Sequence, residues 1–178
     1  MADAVLVAYA TRYGSTREVA ERMAATLREG GAAVDVRPAG SVKDLSGYGT
    51  VVLGAPYYIG KMLKEATAFL ERHRAALEAM PVAVFALGPA KAGDDLEEAR
   101  GQLDKTLLKY PWLKPAAVEM FVGKYDPAVL RGLDKLVAKP KASPLHGVGA
   151  HDDRDWAAIE RWAAALRFAG APAHDEHA

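Results

Sequence analysis

Five short apolar runs separated by amphipathic stretches limit what this chain can fold into more than any other feature. They are Ala4 to Ala8, Ala33 to Val36, Thr50 to Leu53, Val82 to Leu87 and Ala116 to Val122. The first, third and fourth are almost unbroken rather than alternating, which is how strands read when helices cover both faces of a sheet. The stretches between them carry a helical period. Val19, Ala20, Met23, Ala24 and Leu27 define a first helix, with Gly30 and Gly31 as a left-handed stop and Ser15 and Glu18 as a capping box. Ala66, Phe69, Leu70 and Leu77 predict a second helix; Leu96, Ala99, Leu103, Leu107 and Tyr110 predict a third, capped near Asp94 and closed by Pro111. Asp126-Pro127 opens a fourth that carries Val129, Leu130, Leu133, Leu136 and Val137 and ends at Pro140. A last helix starts near Asp152 or Asp153 and places Trp156, Ile159, Ala163 and Leu166 on one face, with Trp156 expected in the core and Trp162 partly exposed. Strands alternating with helices give an α/β, doubly wound, five-stranded parallel sheet with helices on both faces. Ligands of such sheets bind at the carboxyl ends of the strands, where the strand order reverses, so the loops after the first, third and fourth runs matter most.

At 178 residues and 51% hydrophobic composition the chain fits one domain, expected over residues 1–170, with a polar, frayed tail at 171–178. Twenty-three basic residues balance 23 acidic ones, which argues against gripping nucleic acid through bulk charge. With no cysteine, thiolate metal sites and cysteine nucleophiles are excluded, and redox chemistry needs a bound cofactor. The five histidines are dispersed and form no metal constellation, and no G-x-S-x-G elbow is present. The longest apolar run falls far short of the roughly 20 residues that span a bilayer, so no integral membrane segment is expected. The expected location is cytoplasmic, with peripheral attachment to a membrane left open.

Thr11-Arg12-Tyr13-Gly14-Ser15-Thr16 follows the first run and opens the first helix. It brings hydroxyls, a glycine and unpaired helix N–H groups together, a cradle suited to a monophosphate. The P-loop and G-x-G-x-x-G patterns that grip triphosphates and dinucleotides are absent. The same residues also read as an ordinary cap, with Thr11 and Thr16 in the turn.

Strand, T-x-[TY]-G-x-T and helix near the amino terminus resemble the phosphate loop of the flavodoxin superfamily, whose members bind FMN. Gly54-Ala55-Pro56-Tyr57-Tyr58-Ile59-Gly60 is similar to the family loop that walls one side of the isoalloxazine ring, and Ala86-Leu87-Gly88-Pro89-Ala90-Lys91 occupies the place of the third flavin loop. The resemblance implies strand order 2-1-3-4-5. Its cofactor-binding residues are Thr11, Arg12, Tyr13, Gly14, Ser15 and Thr16, then Pro56, Tyr57, Tyr58, Ile59 and Gly60, then Leu87, Gly88, Pro89 and Lys91. Tyr57 and Tyr58 can each offer a ring face for stacking or pack in a core. Gly60 can adopt positive φ and let a neighbouring carbonyl turn toward the flavin. Gly88 leaves backbone N–H groups accessible to the pyrimidine edge, and Lys91 sits either near the flavin as a positive charge or in solvent. Tyr110-Pro111-Trp112, Phe121-Val122-Gly123-Lys124-Tyr125, the helix Val129 to Val137 after the fifth strand and Asp155-Trp156 opening the last helix resemble one branch, the menaquinone-dependent protoporphyrinogen oxidases and related flavodoxin-domain proteins. This implies an FMN-dependent oxidoreductase passing electrons from a small organic substrate to a quinone or similar acceptor. The alternative is a flavodoxin carrying electrons between protein partners. Carriers steer partners through strong surface charge, so zero net charge leans toward the enzyme. A phosphorelay receiver shares the topology but needs acidic residues where this chain has Ala10-Thr11 and Gly54.

Overall fold

The computed structural model describes residues 3–58, 60–88, 96–143 and 146–166. The chain runs β1 (Ala4–Tyr9), α1 (Ser15–Glu29), β2 (Val34–Pro38), β3 (Tyr48–Tyr58), β4 (Lys61–Met62), α2 (Lys64–Arg72), α3 (Arg74–Leu77), β5 (Val82–Leu87) and α4 (Leu96–Leu107). It continues with β6 (Ala117–Phe121), β7 (Lys124–Tyr125), α5 (Gly132–Ala138), β8 (His151–Asp152) and α6 (Trp156–Ala165). The sheet order is β2-β1-β3-β5-β6, all parallel, with the two-residue β4 folded back antiparallel on β3. This is the expected 2-1-3-4-5 order once the five long strands are counted alone. The expected cap near Asp94 and the tail at 171–178 lie outside the described residues.

The two faces of the sheet bury different helices. Val19, Met23 and Leu27 of α1 and Ile159 and Ala163 of α6 pack on Val5, Val7, Val52 and Phe85. Phe69 and Leu70 of α2 and Leu103 and Leu107 of α4 pack on Leu6, Leu53, Val84 and Ala86. Gly54 sits at the centre, directly opposite Phe85, and a Cβ there would lie 2.0 Å from Phe85 Cζ, so the ring lies over bare backbone. Phe85 in turn meets Trp162 edge-on at 6.3 Å, and Phe121 meets the same indole at 5.9 Å. Both tryptophans are partly buried against this cluster: Trp162 is partly exposed as expected and packs on the core aromatics, while Trp156, expected in the core, is also only partly buried and has the guanidinium carbons of Arg22 and Arg154 at 4.9 and 4.5 Å from its ring centroid.

Three helix expectations need correction. The second helix breaks at His73, whose ring nitrogen lies 3.3 Å from the carbonyl of Val42; burial lowers the pKa of this imidazole. The continuous helix expected from Asp126 is instead a 3-10 turn at Pro127–Val129, capped by Asp126 on the amide of Ala128, followed by the separate α5. Extended backbone at Leu130 and Arg131 divides them, and Gly132 starts α5 at φ 53°. Finally, the amino-terminal cap of α6 is neither Asp152 nor Asp153 but Asp155, which accepts from the amide of Ala158, in line with the expected Asp155-Trp156 opening. Among the described residues no helix is long and apolar enough to cross a membrane.

Candidate functional site

The end of β1 is tied to the middle of the sheet, where Ala10 N–H donates to the Gly54 carbonyl at 2.8 Å. The chain then turns through Thr11–Gly14. Gly14 N–H donates to Thr11 Oγ1 at 2.9 Å, and Gly14 itself adopts φ 91°, a region that strains any residue with a Cβ. Gly14, not Ser15, is the cap of α1, and no side chain caps this helix. The expected Ser15–Glu18 capping box does not form, because Glu18 turns its carboxylate to Arg154 at 2.6 Å. Its absence leaves the first-turn N–H groups of a 15-residue helix without a side-chain partner. Beside them Thr16 is completely buried and its hydroxyl has no hydrogen-bond partner.

The two tyrosines after β3 part company. Tyr57 is buried and shares a hydrogen bond of 2.9 Å with the Thr106 hydroxyl of α4, whereas Tyr58 is 41% exposed. Only Tyr58 is available as a stacking face. Desolvation raises the pKa of its phenol, Tyr13 and Asp134 add to that shift, and Arg12 opposes it. Gly60 takes the expected positive φ, 71°. Pro56 and Leu87 are buried in the strands, so their side chains belong to the sheet interior. Gly88 departs from its expected role, since its N–H donates to the Phe121 carbonyl at 2.8 Å. A Cβ there would come within 2.6 Å of Met120 Sδ, so the methionine side chain lies against bare backbone. Ile59, Pro89 and Lys91 lie outside the described residues.

Arg12 and Tyr13 are both held from outside the loop. Arg12 Nη1 donates to the two carboxylate oxygens of Asp134 on α5 at 2.8 and 2.7 Å, and the Tyr13 hydroxyl donates to the same carboxylate. Arg131 N–H in turn donates to the Tyr13 oxygen at 3.3 Å. The Tyr13 hydroxyl holds the Asp134 pKa below the usual aspartate range against the opposing effect of desolvation, and Arg12 reinforces it. Asp134 and Arg154 were not anticipated as neighbours of the first loop. Neither carries a local motif, and they lie 121 and 139 residues from their loop partners Tyr13 and Ser15.

The arrangement fits a bound anion. With Arg12 engaged by Asp134, the first turn of α1 offers hydrogen-bond donors: backbone N–H groups and a sealed Thr16 hydroxyl that lacks an acceptor. A phosphate oxygen is the kind of acceptor that such a hydroxyl and a helix's first amides are suited to. Residues 6–140 match the family described as Flavodoxin domain. The protoporphyrinogen IX dehydrogenase [quinone] of Escherichia coli strain K12 is 25% identical over 173 residues, covering 95% of this chain and 94% of the relative. A solved flavodoxin from the domain Archaea superposes with a TM-score of 0.50 at 17% identity, over 66% of this chain and 83% of that one. Rubredoxin oxygen:oxidoreductase from the anaerobe Desulfovibrio gigas gives 0.53 at 17% identity, over 89% of this chain and 34% of that one.

Proposed function

The chain belongs to the flavodoxin-domain family and is an FMN-binding redox protein, and from that premise we propose that it is an oxidoreductase passing electrons from a small organic substrate to a quinone or similar acceptor. The observation that carries the enzyme reading is the likeness to a quinone-linked dehydrogenase along 95% of this chain, including the segment after residue 140 that the family match does not reach. That segment packs on the first loop through Arg154, so it is part of the site's surroundings.

In this reading Thr11–Thr16 hold the phosphate, with the α1 amides and Thr16 hydroxyl as donors and Thr11 fixing the turn at Gly14. Tyr58 offers its ring face, and Gly60 supplies a backbone turn beside it. Pro56, Tyr57, Leu87 and Gly88 hold the strand ends that carry the ring-side loops, while Ile59, Pro89 and Lys91 are assigned to the ring side on the sequence pattern alone. When bound, FMN supplies the electron and hydride chemistry, and the protein supplies orientation and electrostatics. Buried Leu87, Pro56 and Tyr57 keep water from the sheet beneath the site. The single domain over residues 1–170 is part of the same proposal.

Purification followed by an absorption spectrum, then anaerobic assays with protoporphyrinogen and quinones, tests it. A yellow protein that turns over with a quinone acceptor is the expected result. A yellow protein that exchanges electrons only with protein partners selects the carrier instead, and a protein that stays colourless with added FMN removes the whole reading.

A further inference from the structure

Arg154 lies between β8 and α6, outside the residues 6–140 that match the family. Its side chain is only 3% exposed, unusual for a residue that is almost never buried unless paired. Its Nε and Nη2 donate to the two oxygens of Asp152 at 2.7 and 2.6 Å. Its Nη1 reaches the Glu18 carboxylate at 2.6 Å and the Ser15 carbonyl at 3.2 Å. The guanidinium carbon stands 4.5 Å from the Trp156 ring centroid. Burial works against the charge, but the hydrogen bonds to Asp152 and Glu18 outweigh it and keep the group a firm cation.

The two contacts with α1 bear on the anion cradle. A carboxylate in the first turn, such as Glu18, suits the helix dipole but repels any phosphate that the same turn must hold. A buried cation shared between Glu18 and Asp152 offsets part of that repulsion. The bond to the Ser15 carbonyl fixes the first peptide of the helix, whose neighbours present the unpartnered amides and the Thr16 hydroxyl. Arg154 does not touch the place where an anion would sit; it acts on the helix end behind it.

We propose that Arg154 is a positioning residue for the cofactor phosphate, partly offsetting the charge of Glu18 and pinning the first turn of α1 so that its donors meet the anion. The inference rests on the FMN reading above and is separable from it, because riboflavin has the same ring and no phosphate. Affinities of the apoprotein for FMN and for riboflavin are measured by fluorescence titration in the wild type, Arg154→Gln, Arg154→Lys, Glu18→Gln and the Arg154→Gln/Glu18→Gln double variant. Arg154→Gln loses on the order of tenfold in FMN affinity while riboflavin affinity holds. Arg154→Lys falls between it and the wild type, and adding Glu18→Gln restores part of the loss. Glu18→Gln alone leaves FMN affinity equal or tighter. Equal losses for both flavins in Arg154→Gln would mean a merely structural residue and would overturn the proposal, as would unchanged FMN affinity. Should the Arg154 variants fail to fold, Glu18→Gln still decides, since weaker FMN binding in that variant contradicts the repulsion on which the idea depends. A wild type that binds neither flavin defeats the FMN reading itself, a separate result.

Discussion

Helices α1 and α5 carry the same kind of sequence signal and end in opposite situations. In α1, Val19 and Met23 are completely buried and Leu27 nearly so, pressed on the sheet by the crossover between β1 and β2. In α5, Leu133, Leu136 and Val137 are 77%, 58% and 51% exposed, and the helix is fastened through Asp134 to Arg12 and Tyr13. Hydrophobic spacing predicts that a segment is helical; it does not say what, if anything, lies against the apolar stripe. One helix is held by area removed from water and the other by charge-assisted hydrogen bonds, and each responds to a different kind of perturbation.

The largest expected effect comes from hollowing the buried side of the comparison. Met23→Ala removes a fully buried side chain beneath α1 and should lower unfolding free energy by about 3 kcal/mol, read from the denaturation midpoint. A loss below about 1 kcal/mol would break the claim that burial holds α1. Thr16→Val separates folding from binding within the same helix. It deletes a buried hydroxyl that has no partner, so the apoprotein should melt at the same or a higher temperature while FMN affinity falls about tenfold. Unchanged affinity would exclude Thr16 from the phosphate shell.

On the tethered side, Asp134→Ala should cost about 1 kcal/mol in local opening of residues 127–138 and little globally, because the Arg12 side chain is 48% exposed and its ion pair correspondingly weak. Hydrogen exchange of those amides reads it, and protection equal to wild type would show that something other than the carboxylate holds α5. Acid probes the same tether. Asp134 has its pKa depressed when folded, so its contribution is complete above the ordinary value of about 4 and fades as pH drops through the lower folded value. NMR shifts of the Leu133 methyl groups should therefore move only below about pH 4; movement between pH 5 and 7 would point to a different group. Smallest of all, Leu133→Ser should change stability by less than about 0.5 kcal/mol.

The contrast also marks what could be read in advance. All five long strands and their order, the turn before α1, and the positive φ of Gly60 follow from short-range patterns and the family resemblance, and the fold carries each of them. The division of labour between Tyr57 and Tyr58 was within reach. Leu53, Ala55 and Tyr57 fall on one side of β3 by strand parity and belong to the same buried cluster, although the apolar run from Thr50 stops at Leu53 while the strand continues to Tyr58. The capping box was misleading because Ser15 and Glu18 satisfy the local rule while a distant arginine claims the carboxylate. Gly88 read as an open loop residue because nothing in its neighbours announces the Phe121 carbonyl or the Met120 sulfur. Asp134 and Arg154 stayed out of view for the same reason, since periodicity works within an element and these contacts join opposite ends of the chain.

The bond from Arg154 to Ser15 has a consequence in time. During synthesis the first loop leaves the ribosome before the support behind it, which is translated 139 residues later. A nascent chain stalled before that arginine would display the turn and its glycine with Glu18 still unneutralised. On the proposal above, the cradle is complete only once the chain through Arg154 has emerged and folded back on α1, so the polypeptide comes first and the coenzyme second.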